Sequence, residues 1–572
     1  MKYSELCEVY EKLGRTTKRL EKINILSEFL KKLAKSKLDN QVIYFLRGRV
    51  LPDYDAREFG ISNQLVIKVI SKASGISVDH VVKEFNKIGD LGEVAEKLIS
   101  RKKQSILYHS TLSVEKVFGN LRKIFELTGK GSVDKKISLV TDLLVNATAL
   151  EAKYITRTLL NDLRIGVQDS TLREAISEAF FPGDRKERKE ILDKIEEVYD
   201  LTNDFALVFE AAIKGEKAFD EIEITPGKAM NVMLPVKVSD ISEAFRICGK
   251  PAAIEHKYDG FRVVISKNKN NEIKLFTRRL EDVTAQFPDI IEVIKKNIKG
   301  ESFIIDSEVV GYDPKTKKYK PFESISQRIK RKYHIDTLIK ELPVEINAFD
   351  LIYYNGKSLV NMPFIERRKL LEKIVQEDKL KIRLAYQIIT SDEKKALDFY
   401  KGALKIGEEG IMVKKLDATY KPGRRVGHMV KMKPESRDFD LVITGAMYGT
   451  GKRAGWFTSY IVSCRAEEKD HEGKFLDVGM VSSGLKEKES EGTTYEEMTK
   501  ILKPLIVEEK GRIVKVKPKV VVSVTYQNIQ KSPTYSSGYA MRFPRITAYR
   551  PDRNIKDIAN LKDIKKMVGK KN

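Results

Sequence analysis

The sequence predicts a multidomain protein with an all-α N-terminal region, an α+β middle region and a C-terminal β-barrel. The chain has 572 residues, which is too long for one hydrophobic core at roughly 100–200 residues per domain. Residues 1–222 show the helical spacing of apolar side chains, whereas short β-rich runs follow and predominate from about residue 435. We therefore expect domains at 1–222, 223–434 and 435–572.

In the N-terminal region, apolar residues recur every three or four positions, as on one face of a helix. Thr16-Thr17 offers an N-cap to the first clear example. A second helix is predicted over Glu151–Leu163, with Gly166 placed to end it, and Gly215–Gly227 predicts a linker. The residues that mark the first apolar face are Leu26, Phe29, Leu30 and Leu33. Further helices are predicted over Val114–Leu127, Lys135–Leu144, Ser170–Ala179 and Lys186–Val198.

The middle and C-terminal regions consist largely of β-rich runs separated by turns. In the middle region a helix is predicted over Phe364–Val375, so this part is of the α+β type. Its predicted strands are Ala252–Lys257, Arg262–Ser266, Ile273–Thr277, Phe303–Val310, Val344–Tyr354 and Gly410–Lys415. In the C-terminal region, several short strands with one helix near Tyr495–Leu502 predict a small β-barrel of the OB type. These strands are Leu441–Gly445, Tyr460–Arg465, Phe475–Val481, Ile513–Val516 and Val520–Tyr526.

Composition narrows the class of protein. The formal net charge of +24 indicates a polyanionic partner, although Lys- and Glu-rich surfaces also occur in thermophiles. Three scattered cysteines, Cys7, Cys248 and Cys464, argue against a disulfide scaffold or a cysteine-based zinc site. The N-terminus lacks an apolar signal-peptide core, and no apolar run reaches about 18 residues. We therefore expect a cytoplasmic protein.

The segment from Glu255 to Arg262, EHKYDGFR, is the most informative part of the chain. A strand is predicted to run into an Asp-Gly turn and back into a strand, which places Lys257 at a strand end with Glu255 on the same face. A lysine held near other cations can have its pKa lowered and act as a nucleophile. Alone the motif is weak, because about 0.1–0.2 matches are expected by chance in a chain of this length.

Further motifs follow in order through the rest of the chain. They supply cations for phosphates, carboxylates for a divalent metal and an aromatic face for a base, which together suit in-line displacement at phosphorus. These motifs are Phe276-Thr277-Arg278, Asp306-Ser307-Glu308, Phe349-Asp350, Glu408–Lys414, Arg425, Lys431-Met432-Lys433 and Arg542-Phe543-Pro544-Arg545.

This ordered series resembles the nucleotidyltransferase motifs of ATP-dependent DNA ligases, most closely the replicative ligases of archaea and eukaryotes. The resemblance covers essentially the full chain. It implies an all-α DNA-binding domain, an α+β adenylation domain and an OB-fold domain that encircle nicked duplex DNA. It also implies ATP and Mg²⁺ as cofactors and a lysyl-AMP intermediate, from which AMP passes to the 5′-phosphate before the nick is sealed in replication, recombination and repair.

The resemblance assigns a role to each motif. Lys257 would be the adenylated lysine, Glu255 would contact the adenine, and Phe349 would stack on it. Arg262 and Arg278 would contact phosphate and ribose. Glu308 would bind the ribose or a metal, Glu409 would bind Mg²⁺, Arg425, Lys431 and Lys433 would line the phosphates, and Arg542 and Arg545 would orient pyrophosphate.

Three features of the helical region acquire a role from the same resemblance. Gly129–Ser132 would offer backbone N–H groups to a DNA phosphate, and Leu163–Gly166 would place Arg164 near the minor groove. Gln104–Tyr108 resembles a short motif that binds the sliding clamp. Gly129–Ser132 also has a plainer reading as an interhelical loop, and Gln104–Tyr108 as an apolar patch that enters a core helix. The protein is expected to be a monomer.

Several other functions share part of this pattern. An RNA ligase or mRNA-capping guanylyltransferase shares the lysine motif and the barrel, but the large helical region argues against both. A bacterial NAD-dependent ligase is disfavoured because its Cys-rich zinc module is absent. A non-catalytic nucleic-acid binder with a decayed site is disfavoured because every expected reactive residue is present.

Overall fold

The computed structural model describes residues 1–101, 111–129, 131–183, 185–320, 322–330, 335–434, 438–449, 453, 455–466, 474–487 and 493–568. The chain divides into two compact units, Met1–Met432 and Lys433–Asn572. The three-domain division remains a prediction. Within the described residues, no helix combines the length and apolarity needed to cross a membrane.

The N-terminal part of the first unit is helical, as predicted. Its helices are α1 (Tyr3–Arg15), α2 (Arg19–Ala34), α3 (Asn63–Ser74), α4 (Val78–Ile88), α5 (Leu91–Ile99), α6 (Val114–Lys123), α7 (Ser132–Asn146), α8 (Ala149–Leu159), α9 (Asp169–Phe180), α10 (Arg185–Thr202), α11 (Phe205–Lys214) and α12 (Lys217–Asp220). Short 3-10 turns span Asn40–Arg47 and Ile124–Glu126. The helices enclose a single large apolar cluster.

Two local predictions in this part were inaccurate. The expected N-cap at Thr16-Thr17 is wrong: α2 begins after Lys18, whose side chain makes no capping hydrogen bond. Helix α8 starts two residues before the predicted Glu151, because Thr148 and Glu151 form a capping box. The predicted linker also contains the short helix α12.

The rest of the first unit has α+β architecture. Its elements are β1 (Val236–Val238), α13 (Ile241–Cys248), β2 (Ala252–Lys257), β3 (Phe261–Lys267), β4 (Ile273–Thr277), a 3-10 turn (Thr284–Gln286), α14 (Pro288–Asn297), β5 (Phe303–Gly311), α15 (Phe322–Lys330), α16 (Ile335–Glu341), β6 (Val344–Tyr354), β7 (Lys357–Ser358), α17 (Phe364–Ile374), β8 (Ile382–Leu384), β9 (Gln387–Thr390), α18 (Glu393–Lys405), β10 (Gly410–Lys415) and β11 (Met429–Met432).

These strands form two sheets. One has the order β1-β11-β10-β2-β9, and the other the order β4-β3-β5-β6-β7, with β8 parallel to β6. Val264 and Ile304 of the second sheet share an apolar cluster with Met429 of the first, so the sheets pack against each other. A site between them therefore has a rigid wall on either side.

The second unit is a β-barrel. Its elements are β12 (Asp438–Tyr448), β13 (Phe457–Arg465), β14 (Phe475–Val481), α19 (Tyr495–Leu502), a 3-10 turn (Lys503–Leu505), β15 (Ile506–Lys510), β16 (Ile513–Val516), β17 (Val521–Thr525), β18 (Ile529–Lys531), β19 (Tyr539–Met541), β20 (Arg545–Tyr549) and α20 (Leu561–Lys566).

The strands pair in the order β14-β13-β12-β17-β20. The barrel closes where β20 contacts the residues that follow β14. There the Ile546 N–H donates to Ser483 O at 2.9 Å. The next residue, Gly484, has φ +114°, and a Cβ on it would lie 1.9 Å from Ile546 O, so only glycine fits this junction. This five-stranded ring, together with the predicted helix α19, confirms the predicted barrel of the OB type.

Candidate active site

Lys257 lies where the chain crosses from one sheet to the other. Strand β2 pairs with β9 and β10, whereas β3 pairs with β4 and β5. The predicted order of strand, Asp-Gly turn and strand is confirmed, and Asp259-Gly260 carries the chain from the first sheet to the second. Gly260 is required there, since a Cβ would lie 2.3 Å from Val309 O.

The amine of Lys257 faces carboxylates. Its Nζ lies 2.7 Å from Glu409 Oε2, and the Glu409 N–H donates to Lys257 O at 2.9 Å. Burial alone would lower the pKa of the Lys257 amine, but the charges of Glu409 and Glu308 outweigh burial and raise it. The prediction that neighbouring cations lower this pKa is therefore wrong for this arrangement of the side chains.

Glu308 is the second carboxylate at this point. It lies on β5, in register with Arg262 of β3 on one side and Asn347 of β6 on the other. Burial raises the pKa of the Glu308 carboxyl to about 7, against the opposing charges of Lys257 and Arg262. A strongly shifted carboxyl beside a buried lysine is typical of a functional site.

A cavity of about 340 Å³ opens between the two sheets at Lys257. This volume suits a small-molecule ligand. Glu409 reaches the cavity through its ion pair with Lys257. The other predicted site residues line it directly: Lys257, Glu255, Arg262, Arg278, Glu308, Phe349, Arg425 and Lys431.

One end of the cavity is buried and internally paired. The carboxylate of Glu255, only 2% exposed, accepts a hydrogen bond from Gln387 Nε2 at 2.8 Å and lies 2.7 Å from Lys414 Nζ. The Lys414 ammonium lies 4.5 Å from the centroid of the Phe349 ring and 4.7 Å from that of Phe364. This end therefore combines an aromatic ring with a fixed acceptor, as a purine base would need.

Sequence reasoning assigned no role to Lys414 and did not mention Gln387. Lys414 is the last residue of the motif Glu408–Lys414 and lies two residues after Met412 on β10. Both side chains line the cavity. That spacing is a signal that could have identified it. Gln387 lies on the neighbouring strand β9 and has no signal in its local sequence.

Arg262 is committed to a buried carboxylate. Its Nε and NH2 groups donate to Asp306 Oδ1 and Oδ2 at 2.8 and 2.5 Å, and its NH1 group donates to Met233 O at 2.7 Å. Tyr420 adds a hydrogen bond from its hydroxyl to Asp306 Oδ2 at 2.7 Å. Because Asp306 is fully buried, this bidentate pair anchors the cavity wall.

Arg278 has the opposite surroundings. Partial desolvation, together with the nearby cations Arg262, Arg425 and Arg279, lowers the pKa of its guanidinium. Arg278, Arg425 and Lys431 all line the cavity. This part is suited to an anion.

The carboxylates at Lys257 fit one kind of metal. Among the residues the structure describes, no group of three or more His, Cys, Asp or Glu side chains could hold an ion by itself. Mg²⁺ retains water and binds through one or two carboxylates together with substrate phosphates. Glu308 and Glu409 fit that requirement, whereas a site built entirely from protein ligands is not formed by the described residues.

The remaining predicted residues belong to the second unit or lie outside the described residues. Arg542 and Arg545 belong to the second unit, where the Arg542 guanidinium lies 4.8 Å from the centroid of the exposed Phe543 ring. Lys433 begins the same unit. Gln104–Tyr108 lies outside the described residues, as does Lys130 of Gly129–Ser132.

Arg164 lies in the predicted DNA-facing turn. Its backbone φ is +58°. Its guanidinium Nε donates to Asp162 Oδ2 at 2.7 Å, and NH1 lies 2.9 Å from Asp90 Oδ2. The turn is therefore held by ion pairs within the helical region.

Comparison with known proteins identifies the class. Residues 2–177 match the family model described as DNA ligase N terminus, residues 232–433 match ATP dependent DNA ligase domain, and residues 453–553 match ATP dependent DNA ligase C terminal region. Together with the fold, these matches define an enzyme of the nucleotidyltransferase type that uses ATP.

Full-length relatives identify the family. The DNA ligase of Nanoarchaeum equitans (strain Kin4-M) is 44% identical over 570 residues, which cover 99% of this chain and 98% of the relative. That of Thermococcus fumicolans is 39% identical over 570 residues, covering 100% and 98%. The chain belongs to the ATP-dependent DNA ligases.

A solved structure described as Pmar-Lig_PreS3 shares the fold. It has a TM-score of 0.57 at 17% sequence identity, and the match covers 95% of this chain and 99% of that one.

The family of ATP-dependent DNA ligases, to which the chain belongs, uses ATP and acts on nicked DNA.

Proposed function

We propose that Lys257 is the residue that becomes adenylated when this ligase uses ATP. The observation that supports this most directly is its position: Lys257 lies in the wall of a cavity between two sheets, 2.7 Å from a carboxylate of Glu409 and among groups suited to a nucleotide. In the first step Lys257 Nζ attacks the α-phosphorus of ATP. A P–N bond forms, and the bond to the pyrophosphate leaving group breaks.

The amine must lose a proton before it can attack. Glu409 Oε2, 2.7 Å from Lys257 Nζ, lies close enough to accept that proton. The charges of Glu409 and Glu308 raise the pKa of the amine, which opposes this loss. Mg²⁺, held by Glu308 and Glu409, would supply positive charge that neutralises both the carboxylates and the phosphates.

The groups at the two ends of the cavity support one orientation of the nucleotide. At the buried end Phe349 stacks on the base and Glu255 accepts a hydrogen bond from it. At the cationic end Arg278, Arg425 and Lys431 bind the phosphates. Arg262 lies on the wall between the two ends and contacts the ribose. We also assign Lys433 to the phosphates and Arg542 and Arg545 to the orientation of pyrophosphate.

After adenylation, AMP passes to the 5′-phosphate of a nick and the 3′-hydroxyl displaces it. We assign DNA binding to a helical domain at 1–222, adenylation to 223–434 and further DNA contacts to an OB-fold domain at 435–572. The enzyme acts as a monomer at the nucleoid in replication, recombination and repair. Gln104–Tyr108 contacts the sliding clamp, which clamp-binding assays with and without these residues would test.

Labelled ATP tests the adenylation step. After incubation with α-labelled ATP and Mg²⁺, the parent protein should carry an acid-labile label that is lost to nicked DNA. Lys257→Ala should carry no label, yet seal pre-adenylated nicks better than it performs overall ligation. Lys267→Ala is the matched control, since Lys267 ends β3 and donates to Gly300 O. Equal labelling of parent and Lys257→Ala would contradict the proposal, and labelling from GTP alone would indicate a capping activity.

A further inference from the structure

The loop between β10 and β11, residues 416–428, brings Arg425 to the phosphate end of the cavity. The loop contains no helix or strand of its own. Its ends are fixed by the pairing of β10 with β11, but Arg425 lies well away from β10 and four residues before β11. The position of Arg425 therefore depends on what holds the middle of the loop.

Helix α10 of the helical region holds it. Lys421 Nζ lies 3.1 Å from Glu197 Oε1, Arg424 NH2 lies 2.9 Å from Glu196 Oε2, and Arg424 Nε lies 3.6 Å from Asp200 Oδ2. Glu196 and Asp200 are one helical turn apart, so both face the loop. We call these three ion pairs the α10 clasp.

The loop backbone also fits closely against α10. Gly423, with φ +70°, has no room for a side chain, because a Cβ there would lie 2.7 Å from Asp200 Oδ1. On the other side the Gly423 N–H donates to Val232 O at 3.2 Å, and the Leu234 N–H donates to Arg424 O at 3.0 Å. Leu234 itself lines the cavity. The residue that precedes Arg425 is thus held from both sides.

The clasp is partly sheltered from solvent. The Arg424 side chain is 27% exposed and that of Asp200 10%, so their attraction is screened less than that of a surface pair. Burial raises the pKa of the Asp200 carboxyl to about 6, with Arg173 and Arg424 opposing the shift and Glu196 adding to it. Helix α10 also lies between the residues matched by the N-terminal and catalytic family models, 2–177 and 232–433.

We propose that Arg424 is a positioning residue for ATP, and that helix α10, through the clasp, sets where Arg425 lies at the phosphate end of the cavity. This inference rests on the proposed function of the cavity. The helical region then contributes to nucleotide binding as well as to DNA binding. Without the clasp, Arg425 would sample many positions, and ATP would have to order it on binding.

The test removes the two carboxylates of the clasp that pair with Arg424 and measures self-adenylation over a range of ATP concentrations. In the double variant Glu196→Gln/Asp200→Asn, KM for ATP should rise about tenfold while kcat stays within about twofold of the parent. Lys194→Gln is the matched control on the same helix, since Lys194 Nζ pairs with Glu216 at 2.8 Å and Asp220 at 3.7 Å rather than with the loop. It should leave KM unchanged.

A second pair of variants keeps the proposal testable if the double variant fails to fold. Arg424→Lys keeps the charge and should retain most of the ATP affinity, whereas Arg424→Gln should raise KM as the double variant does. An unchanged KM in folded Arg424→Gln, or a fall in kcat at constant KM, would overturn the proposal. If the parent is labelled at Lys257 but KM for ATP is unchanged in the clasp variants, the proposed role of the clasp is wrong and the proposed function stands. If Lys257→Ala is labelled, the proposed function itself fails.

Discussion

Two arginines on the same cavity wall have opposite surroundings. Arg262 makes a bidentate pair with the fully buried Asp306, and its NH1 group donates a third hydrogen bond to the backbone carbonyl of Met233. Arg278 lies near Arg262, Arg425 and Arg279, and its pKa is lowered by partial desolvation and by these cations. One arginine has its charge neutralised within the protein, and the other lies among like charges.

The difference separates groups that hold the cavity from groups that hold its ligand. A neutralised buried charge fixes geometry, and removing one partner leaves the other uncompensated. A cluster of like charges slightly destabilises the folded protein, because the charges repel one another. The same cluster attracts a polyanion such as a triphosphate. Substitutions on the two sides should therefore affect different measurements.

The largest effect should follow from breaking the neutralised pair. Asp306→Asn would leave Arg262 buried beside a neutral amide, and we expect a loss of about 3–5 kcal/mol in the free energy of unfolding. A lower melting temperature would measure it. The control is Asp417→Asn, because Asp417 is 75% exposed and its 3.6 Å contact with Lys415 is a surface pair. That pair should contribute about 1 kcal/mol or less, so equal losses in both variants would contradict this view of Asp306.

A smaller effect on the same side should follow from Tyr420→Phe. The Tyr420 hydroxyl donates to Asp306 Oδ2 at 2.7 Å and accepts from the Met233 N–H at 3.1 Å. Hydrogen bonds to a charged group contribute about 1.5–3 kcal/mol, and the ring would remain to fill its place. We expect a lower melting temperature with KM for ATP unchanged. A rise in KM without a change in melting temperature would show that Tyr420 serves the ligand instead.

The contrast between the two arginines was not accessible from the sequence. Both occur in short motifs that begin or follow a β-rich run, and the same resemblance gave both a role at phosphate or ribose. The partner of Arg262 is Asp306, 44 residues away. Its identity depends on β3 pairing with β5, which the local pattern does not specify.

Other parts of the site were predictable because their signals are local. The strand Ala252–Lys257 was predicted with its observed bounds, and Glu255 and Lys257, expected on one face, both line the cavity. The crossover after Lys257 was missed, because an Asp-Gly turn suits a hairpin and a crossover equally well. The carboxylates that raise the pKa of Lys257 come from β5 and from the residue that precedes β10, and no spacing along the chain shows that they meet.

The smallest effect, and the one most specific to the cationic side, should follow from Arg278→Gln. This change removes one of several like charges, so the melting temperature should stay the same or rise slightly. KM for ATP in self-adenylation should rise about tenfold, equivalent to about 1.4 kcal/mol of binding free energy. Arg279→Gln is the matched control, because it removes the same charge from the next residue, which lines a different cavity, together with Arg47 and Arg49. If Arg279→Gln raised KM equally, the effect would reflect net charge rather than contact with the nucleotide. If Arg278→Gln instead lowered the melting temperature as Asp306→Asn does, Arg278 would belong with the groups that hold the cavity, and the distinction between the two arginines would fail.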